Sequence, residues 1–138
     1  MLGLQLIVGK AHNTQEVDEA FARFVQQGAG ALLVAADPFF ILERDQLVAL
    51  AVQHRLPAIY PVREFTDAGG LISYGDSLAD KWRQAGGYAG RILQGTKPAD
   101  LPMQQPTKFE LVVNQRAAQA LGLTIPPHVL LQATEVIQ

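Results

Sequence analysis

Residues able to hold a small ligand follow three short apolar runs of the chain. They include carboxylates, one guanidinium and several aromatic rings. A carboxylate accepts hydrogen bonds from an ammonium group, and an aromatic face adds apolar area and cation–π attraction. Such side chains favour non-covalent binding of a small zwitterionic or cationic molecule. The candidate ligand-binding residues are Asp37, Pro38, Phe39, Arg63, Glu64, Tyr74, Gly75 and Asp76.

Each candidate also has a purely structural interpretation. Asp37 precedes a proline and is equally suited to open a turn and cap the next helix. Arg63 with its acidic neighbour is typical of a solvated surface pair. Tyr74 could pack at an edge with its hydroxyl in water, and Asp76 could simply favour a helix N-terminus through the helix dipole. Residue types alone leave both interpretations open.

Motifs of common catalytic sites are missing from the sequence. It contains neither the G-x-x-x-x-G-K-[ST] phosphate loop nor the G-x-S-x-G nucleophile turn. Cysteine is absent and there are three histidines, so no zinc site can be built from thiolates. We therefore expect no enzymatic activity, no cofactor and no metal.

Composition and charge exclude further classes of protein. The chain has 138 residues, of which 49% are hydrophobic and 17% charged, and its formal net charge is −2. A disordered tail would be less apolar, and a nucleic-acid-binding protein would be far more basic. No apolar run approaches the ~20 residues that span a bilayer. The opening residues MLGLQLIVGK lack the pattern of a signal peptide.

Short apolar runs alternate with helical patterns along the whole chain. Asn13 and Glu16 form a capping-box pair, and Gly28 closes the helix behind them; Ser77 and Asp80 repeat that spacing. Strands separated by helices of 10–15 residues predict an α/β domain with a mostly parallel sheet and helices on both faces. We expect one domain over residues 1–138, with a helical segment after Pro127 running to the end of the chain. The predicted strands are residues 4–8, 31–35, 57–60, 71–74 and 109–113.

The helix predicted at residues 77–94 carries a continuous apolar stripe that includes Trp82, Ile92 and Leu93. Gly86 and Gly87 lie inside this helix, where each costs about 1 kcal/mol relative to alanine. Two glycines at such positions indicate close approach of another backbone.

The order of several motifs resembles the carboxyl-terminal part of ABC-transporter substrate-binding proteins, of the group often described as tryptophan/tyrosine-type. The motifs are GGLISYG, RILQGTKPADLP, KFELVVN and GLTIPP. The resemblance implies one incomplete lobe of a type I periplasmic-binding-protein fold, in which two lobes close over a ligand. It also implies hinge segments at Gly75 and around Lys108, with the helix at 77–94 packing on the other lobe or on a partner chain.

The function that the resemblance implies is solute binding for an ABC importer, without catalysis. The ligand would be an amino acid or a similar small molecule, delivered to a membrane permease by a full-length protein that is periplasmic or lipid-anchored. Asp37 would contact the ligand's ammonium group, and Phe39 and Tyr74 would form apolar walls. A regulatory effector-binding domain and a flavodoxin-like enzyme domain are the alternatives.

A full member of this family is roughly twice as long as this chain. We therefore expect a truncated protein that lacks the first strand and helix of its lobe. That strand would lie between residues 4–8 and 31–35, so its absence would leave sheet edges unpaired. We expect a homo-oligomer that covers these surfaces, by exchange of a strand or a helix.

Overall fold

The structure, a computed structural model, describes residues 3–138 as five strands and seven α-helices. The strands are β1 (Leu32–Leu33), β2 (Ala58–Tyr60), β3 (Ile72–Asp76), β4 (Phe109–Asn114) and β5 (Glu135–Ile137). The helices are α1 (Thr14–Gln26), α2 (Pro38–Leu42), α3 (Arg44–Gln53), α4 (Glu64–Asp67), α5 (Leu78–Leu93), α6 (Gln115–Ala120) and α7 (Pro127–Gln132). A short 3₁₀ turn occupies Pro98–Asp100.

The strands form one sheet in the order β1-β2-β3-β4-β5. Three of the four pairings are parallel, and the β3–β4 pairing is antiparallel. One row of aligned residues crosses the whole sheet, namely Leu33, Ile59, Ile72, Val113 and Val136. This arrangement confirms the predicted α/β class with a mostly parallel sheet.

The core lies where α1, α3 and α4 pack against the face of the sheet to which Ala58 and Tyr60 of β2 point. Helix α1 begins as predicted, because the Asn13 side chain accepts a hydrogen bond from the Glu16 N–H at 2.9 Å. The Glu16 carboxylate in turn accepts from the His12 N–H at 2.8 Å. The capping box is therefore confirmed, and it orients α1 so that buried residues at helical spacing, including Phe21, face the sheet.

Tyr60 in β2 is 2% exposed and stacks on Phe65, with ring centroids 4.7 Å apart. Burial raises the pKa of Tyr60 from 10.0 to about 12, because the ionised phenolate would lose its hydration. Because this pKa is higher in the folded than in the unfolded state, the protonated Tyr60 hydroxyl stabilises the fold fully below pH 10. That stabilisation is lost as the pH rises towards 12.

We therefore expect unfolding free energy to fall more steeply with pH in the wild type than in Tyr60→Phe, which keeps the ring. Between about pH 9 and pH 11 the difference between the two proteins should change by about 1 kcal/mol. Urea unfolding followed by circular dichroism at several pH values measures this change. Parallel pH curves for the two proteins would contradict a buried, protonated hydroxyl.

The strand predicted at residues 4–8 does not form. These residues are extended, and Leu4, Leu6 and Val8 are 83%, 83% and 64% exposed. A strand needs a neighbour that pairs with its N–H and C=O groups, and no backbone hydrogen bond joins residues 4–8 to another segment within residues 3–138. The apolar run is suited to a strand, but no segment within residues 3–138 pairs with it.

The helix predicted to run to the end of the chain was also wrong in part. Helix α7 ends at Gln132, and the following residues form β5 parallel to β4. The Thr134 N–H donates to the Leu111 carbonyl at 2.8 Å, and the Thr134 hydroxyl accepts from the Leu111 N–H at 3.1 Å. β-Branched residues Val136 and Ile137 suit a strand once β4 offers an edge.

Helix α5 forms as predicted, but none of its residues is buried and Trp82 is 74% exposed. The predicted cap at Ser77 is wrong, since its side chain makes no capping bond. The Asp80 carboxylate does not reach back, because it accepts hydrogen bonds from Arg83 and Gln84. The close approach of another backbone expected at the α5 glycines does not occur among residues 3–138.

Candidate functional site

Two candidate segments follow the carboxyl ends of β1 and β2, and the third, residues 74–76, forms the carboxyl end of β3. These ends lie at one edge of the sheet because the three strands are parallel. The second and third segments touch: a Cβ atom added at Gly75 would overlap the carbonyl oxygen of Pro61. In open α/β sheets, ligands bind outside this edge. The fold therefore brings the loop before α4 and the end of β3 together, with the β1 loop on the same edge.

Asp37 is exposed at the start of α2, and its Oδ1 accepts a hydrogen bond from the Phe39 N–H at 2.8 Å. Pro38 follows as the first helical residue, where its missing N–H costs nothing. The capping interpretation of Asp37 is therefore confirmed, and capping uses one of its two carboxylate oxygens. Phe39 packs half-buried against the core beside Phe40, with ring centroids 5.5 Å apart.

Arg63 is held by two carboxylates, Asp67 at 3.3 Å and Glu135 at 3.1 Å. The hydrogen bond to Asp67 is the main cause that raises the pKa of Arg63 above its usual value. The Arg63 guanidinium thus links Asp67 of α4 to Glu135 of β5. Its adjacent residue Glu64 is half-buried, and Oε2 of Glu64 is buried without a hydrogen-bond partner within residues 3–138.

Tyr74 points away from the core and is 57% exposed. Its ring stacks on Phe109, with centroids 6.1 Å apart and planes at 20°. Asp76 forms an ion pair with Lys81 of α5 at 2.6 Å. The end of β3 thus presents two exposed, stacked aromatic rings, Tyr74 and Phe109. The carboxylate beside them, Asp76, is already ion-paired with Lys81.

Phe109 was not predicted as part of this edge. It starts β4, and the antiparallel register places it opposite Asp76, two residues from the partner of Tyr74. Residues diagonal to each other on neighbouring strands share one face and can touch when they are aromatic. No local signal reveals this neighbour, because the β3–β4 register joins residues more than thirty positions apart.

Two open cavities are formed mainly by other elements of the described chain. A cavity of about 530 Å³ separates α5 from residues 98–108, and it includes Asp76 but no other candidate residue. A groove of about 660 Å³ involves α3, α4 and α6, and includes Asp67 and Glu135, the partners of Arg63. The first cavity therefore reaches the candidate edge at Asp76, whereas Asp37 and Tyr74 line neither cavity.

The described part of the chain contains no cluster of three or more histidine, aspartate or glutamate side chains arranged to hold a metal ion. Among residues 3–138, no helix has the length and apolarity needed to cross a bilayer. The exposed carboxylate and aromatic rings can bind a small molecule through charge and apolar contact.

Solved structures of other proteins share this fold. A conserved domain protein from Vibrio cholerae is similar with a TM-score of 0.88 and 25% identity, over 97% of this chain and 45% of that protein. An ABC domain in complex with L-Trp from Streptococcus pneumonia has a TM-score of 0.80 and 27% identity, over 90% of this chain and 42% of that protein. The chain therefore spans less than half the length of these neighbours.

A third structure is a ligand-free, open substrate binding protein with adhesive properties from Clostridium difficile. Its TM-score is 0.64 at 19% identity, over 99% of this chain and 45% of that protein, which shows a shared fold. A search of curated proteins found no match. The family model described as ABC transporter substrate binding protein matches residues 1–137. The resemblance predicted from the sequence is thus confirmed, and the chain belongs to the ABC transporter substrate binding protein family.

Proposed function

We propose that this chain forms one wall of a solute-binding site that serves an ABC importer without catalysing a reaction. The observation that carries the proposal is the exposed edge at the ends of β1–β3. There Asp37, which follows β1, offers an accessible carboxylate, and the exposed rings of Tyr74 in β3 and Phe109 at the start of β4 stack on each other in a substrate-binding fold. The partner would be the importer's permease, and the whole protein would work in the periplasm or from a lipid anchor.

The proposed ligand is a small zwitterion such as an amino acid with an apolar side chain. The Asp37 oxygen that is not used for capping would accept a hydrogen bond from the ligand's ammonium group. Phe39 and Tyr74 would supply apolar walls, and the ring of Phe109 extends the wall of Tyr74. The neighbour in complex with L-Trp supports an aromatic amino acid as the first ligand to test.

The remaining candidates would shape the site rather than hold the ligand's charge. Arg63 already pairs with Asp67 and Glu135 through Nε and Nη2, so its charge is largely compensated before any ligand carboxylate arrives. Glu64 next to it has one buried oxygen without a partner in the described chain. Gly75 and Asp76, whose carboxylate is ion-paired with Lys81, would lie at the hinge that leads into α5.

Helix α5 would pack against a second lobe that closes over the ligand. Three of its apolar side chains are exposed, with Leu93 at 88%, Trp82 at 74% and Ile92 at 41%. Exposed apolar area of this extent usually marks an interface. A single lobe offers contacts on one side of the ligand only, so we expect weak binding by this chain alone, with a dissociation constant of about 1 mM.

Amide NMR spectra of the ¹⁵N-labelled chain titrated with L-tryptophan test the proposal. We expect chemical-shift changes concentrated in residues 37–39 and 74–76. Asp37→Asn should weaken binding at least about tenfold, because it removes the charge that pairs with ammonium. Asparagine still caps a helix, so α2 should remain intact.

The matched control is Asp45→Asn, which changes an exposed aspartate of α3 and should leave the affinity unchanged. Indole-3-propionate, which lacks the ammonium group, should bind the wild type as weakly as tryptophan binds Asp37→Asn. The proposal would be wrong if about 10 mM tryptophan caused no shifts, or if Asp37→Asn bound as well as the wild type.

A further inference from the structure

A row of aligned residues crosses the sheet on the side covered by α4, namely Tyr60, Ser73, Val112 and Glu135. The first three are almost completely buried. Tyr60 stacks on Phe65 of α4, and Oγ of Ser73 lies 3.0 Å from the hydroxyl oxygen of Thr66. Directly aligned residues on neighbouring strands point to one face of a sheet. Glu135 therefore ends a buried row, with its side chain on the same face as α4.

Arg63 joins this end of the row to the loop between β2 and α4, residues 61–63. Nη2 of Arg63 lies 3.1 Å from Oε2 of Glu135. The same side chain donates to the Asp67 carboxylate, from Nε at 3.3 Å and from Nη2 at 3.4 Å. The Arg63 carbonyl accepts hydrogen bonds from the Thr66 hydroxyl at 2.7 Å and from the Asp67 N–H at 3.0 Å. Thr66 and Asp67 belong to α4, whereas Glu135 belongs to a strand, so the contact with Glu135 ties the guanidinium to the sheet.

The loop of residues 61–63 also contacts the end of β3. A Cβ atom added at Gly75 would overlap the carbonyl oxygen of Pro61, so the two backbones touch there. Strand β3 is paired on both sides, which leaves the loop as the part that is freer to move. A displacement of the loop therefore changes the surroundings of Gly75 at the candidate edge.

We propose that Glu135 is a positioning residue for the ligand-binding site. Through Arg63 it holds residues 61–63 against the end of β3, where they border the site, and it does not touch the ligand itself. The consequence for the ligand rests on the proposed function. The placement of the loop against Gly75 does not require a ligand and can be measured without one.

The ion pair is suited to positioning the loop more than to stabilising the fold. The side chains of Arg63 and Glu135 are 35% and 48% exposed, and an ion pair with such exposure adds little to the free energy of unfolding. Its removal should leave the fold intact while the loop loses one of its restraints. A change of about 1 kcal/mol in the placement of the loop corresponds to an affinity change of about fivefold.

Glu135→Gln in the whole chain tests the proposal, because glutamine keeps the size of the side chain and removes its charge. In amide NMR spectra without ligand, we expect the resonances of Arg63, Glu64 and Gly75 to shift. The dissociation constant for L-tryptophan should rise about three- to fivefold, with the urea unfolding midpoint nearly unchanged. The matched control is Glu19→Gln, which changes an exposed glutamate of α1 and should alter none of these quantities.

Repeating the change in an Arg63→Gln background separates an effect that acts through Arg63 from a direct effect of the lost charge. If Glu135 acts through Arg63, the added Glu135→Gln should shift Glu64 and Gly75 no further and should not weaken tryptophan binding again. Residues that act through one contact are expected to be non-additive in this way.

Unshifted Glu64 and Gly75 resonances in Glu135→Gln would overturn the proposal, and so would an equal effect of this change in the Arg63→Gln background. Shifts spread over the whole sheet, together with a large fall in the urea midpoint, would also overturn it, because Glu135 would then act on general stability. If the wild type binds no tryptophan while Glu64 and Gly75 still shift, the proposed function is wrong and the placement of the loop by Glu135 is supported.

Discussion

Gly75→Ala is expected to destabilise the protein by about 3 kcal/mol or more, because the new methyl group would overlap the backbone oxygen of Pro61. A side chain could rotate away from such a contact, but this obstacle is main chain. Strand β3 cannot withdraw either, since it is paired with β2 on one side and with β4 on the other. Urea unfolding followed by circular dichroism measures the loss.

Gly86→Ala is the matched control for this change. Gly86 lies in α5, and a methyl group added there would meet no atom within 4 Å, so alanine should be neutral or stabilise the helix by up to about 1 kcal/mol. An unchanged urea midpoint for Gly75→Ala would show that the end of β3 lies farther from Pro61 than the structure has it.

Phe65→Ala is expected to cost about 3–5 kcal/mol of unfolding free energy. Phe65 has no exposed surface, and its ring stacks on Tyr60 between α4 and the sheet. Alanine would leave a cavity that the surrounding main chain cannot fill, because the Phe65 carbonyl is also fixed by the Gly70 N–H at 2.8 Å. A domain whose unfolding free energy has the ordinary value of about 5–15 kcal/mol would lose a large part of it.

Phe109→Ala serves as the comparison, since this phenylalanine is 53% exposed and contacts Tyr74 at the surface. Its stability cost should stay near 1 kcal/mol. Equal losses for the two variants in urea unfolding would contradict the assignment of the core to the α4 side of the sheet.

Elements defined by neighbouring residues were predicted well from the sequence. The capping box at Asn13 and Glu16 closes over four residues, and the apolar spacing behind it needs no information from the rest of the chain. Strands β1 and β2 lie inside the predicted apolar runs, and β3 and β4 overlap theirs, for the same reason. Parallel pairing followed from the regular alternation of strands and helices.

Elements that depend on a distant partner were predicted less well. Residues 4–8 have the composition of a strand, yet no described segment pairs with them. Strand β5 is the opposite case, because the edge offered by β4 determines its conformation. The β3–β4 pairing is antiparallel, and its register brings Phe109 to the candidate edge, which local patterns do not encode.

The sequence by itself determined the α/β class, the family resemblance and the position of the candidate residues at strand ends, because each depends on local periodicity and motif order. Only the tertiary structure decided what those side chains contact. Arg63 is bound by Asp67 and Glu135, and Asp76 by Lys81, while one oxygen of Asp37 has no hydrogen-bond partner within residues 3–138. Ion pairs and stacked rings require atoms within a few ångströms, and that proximity is produced by the folding of distant segments against one another.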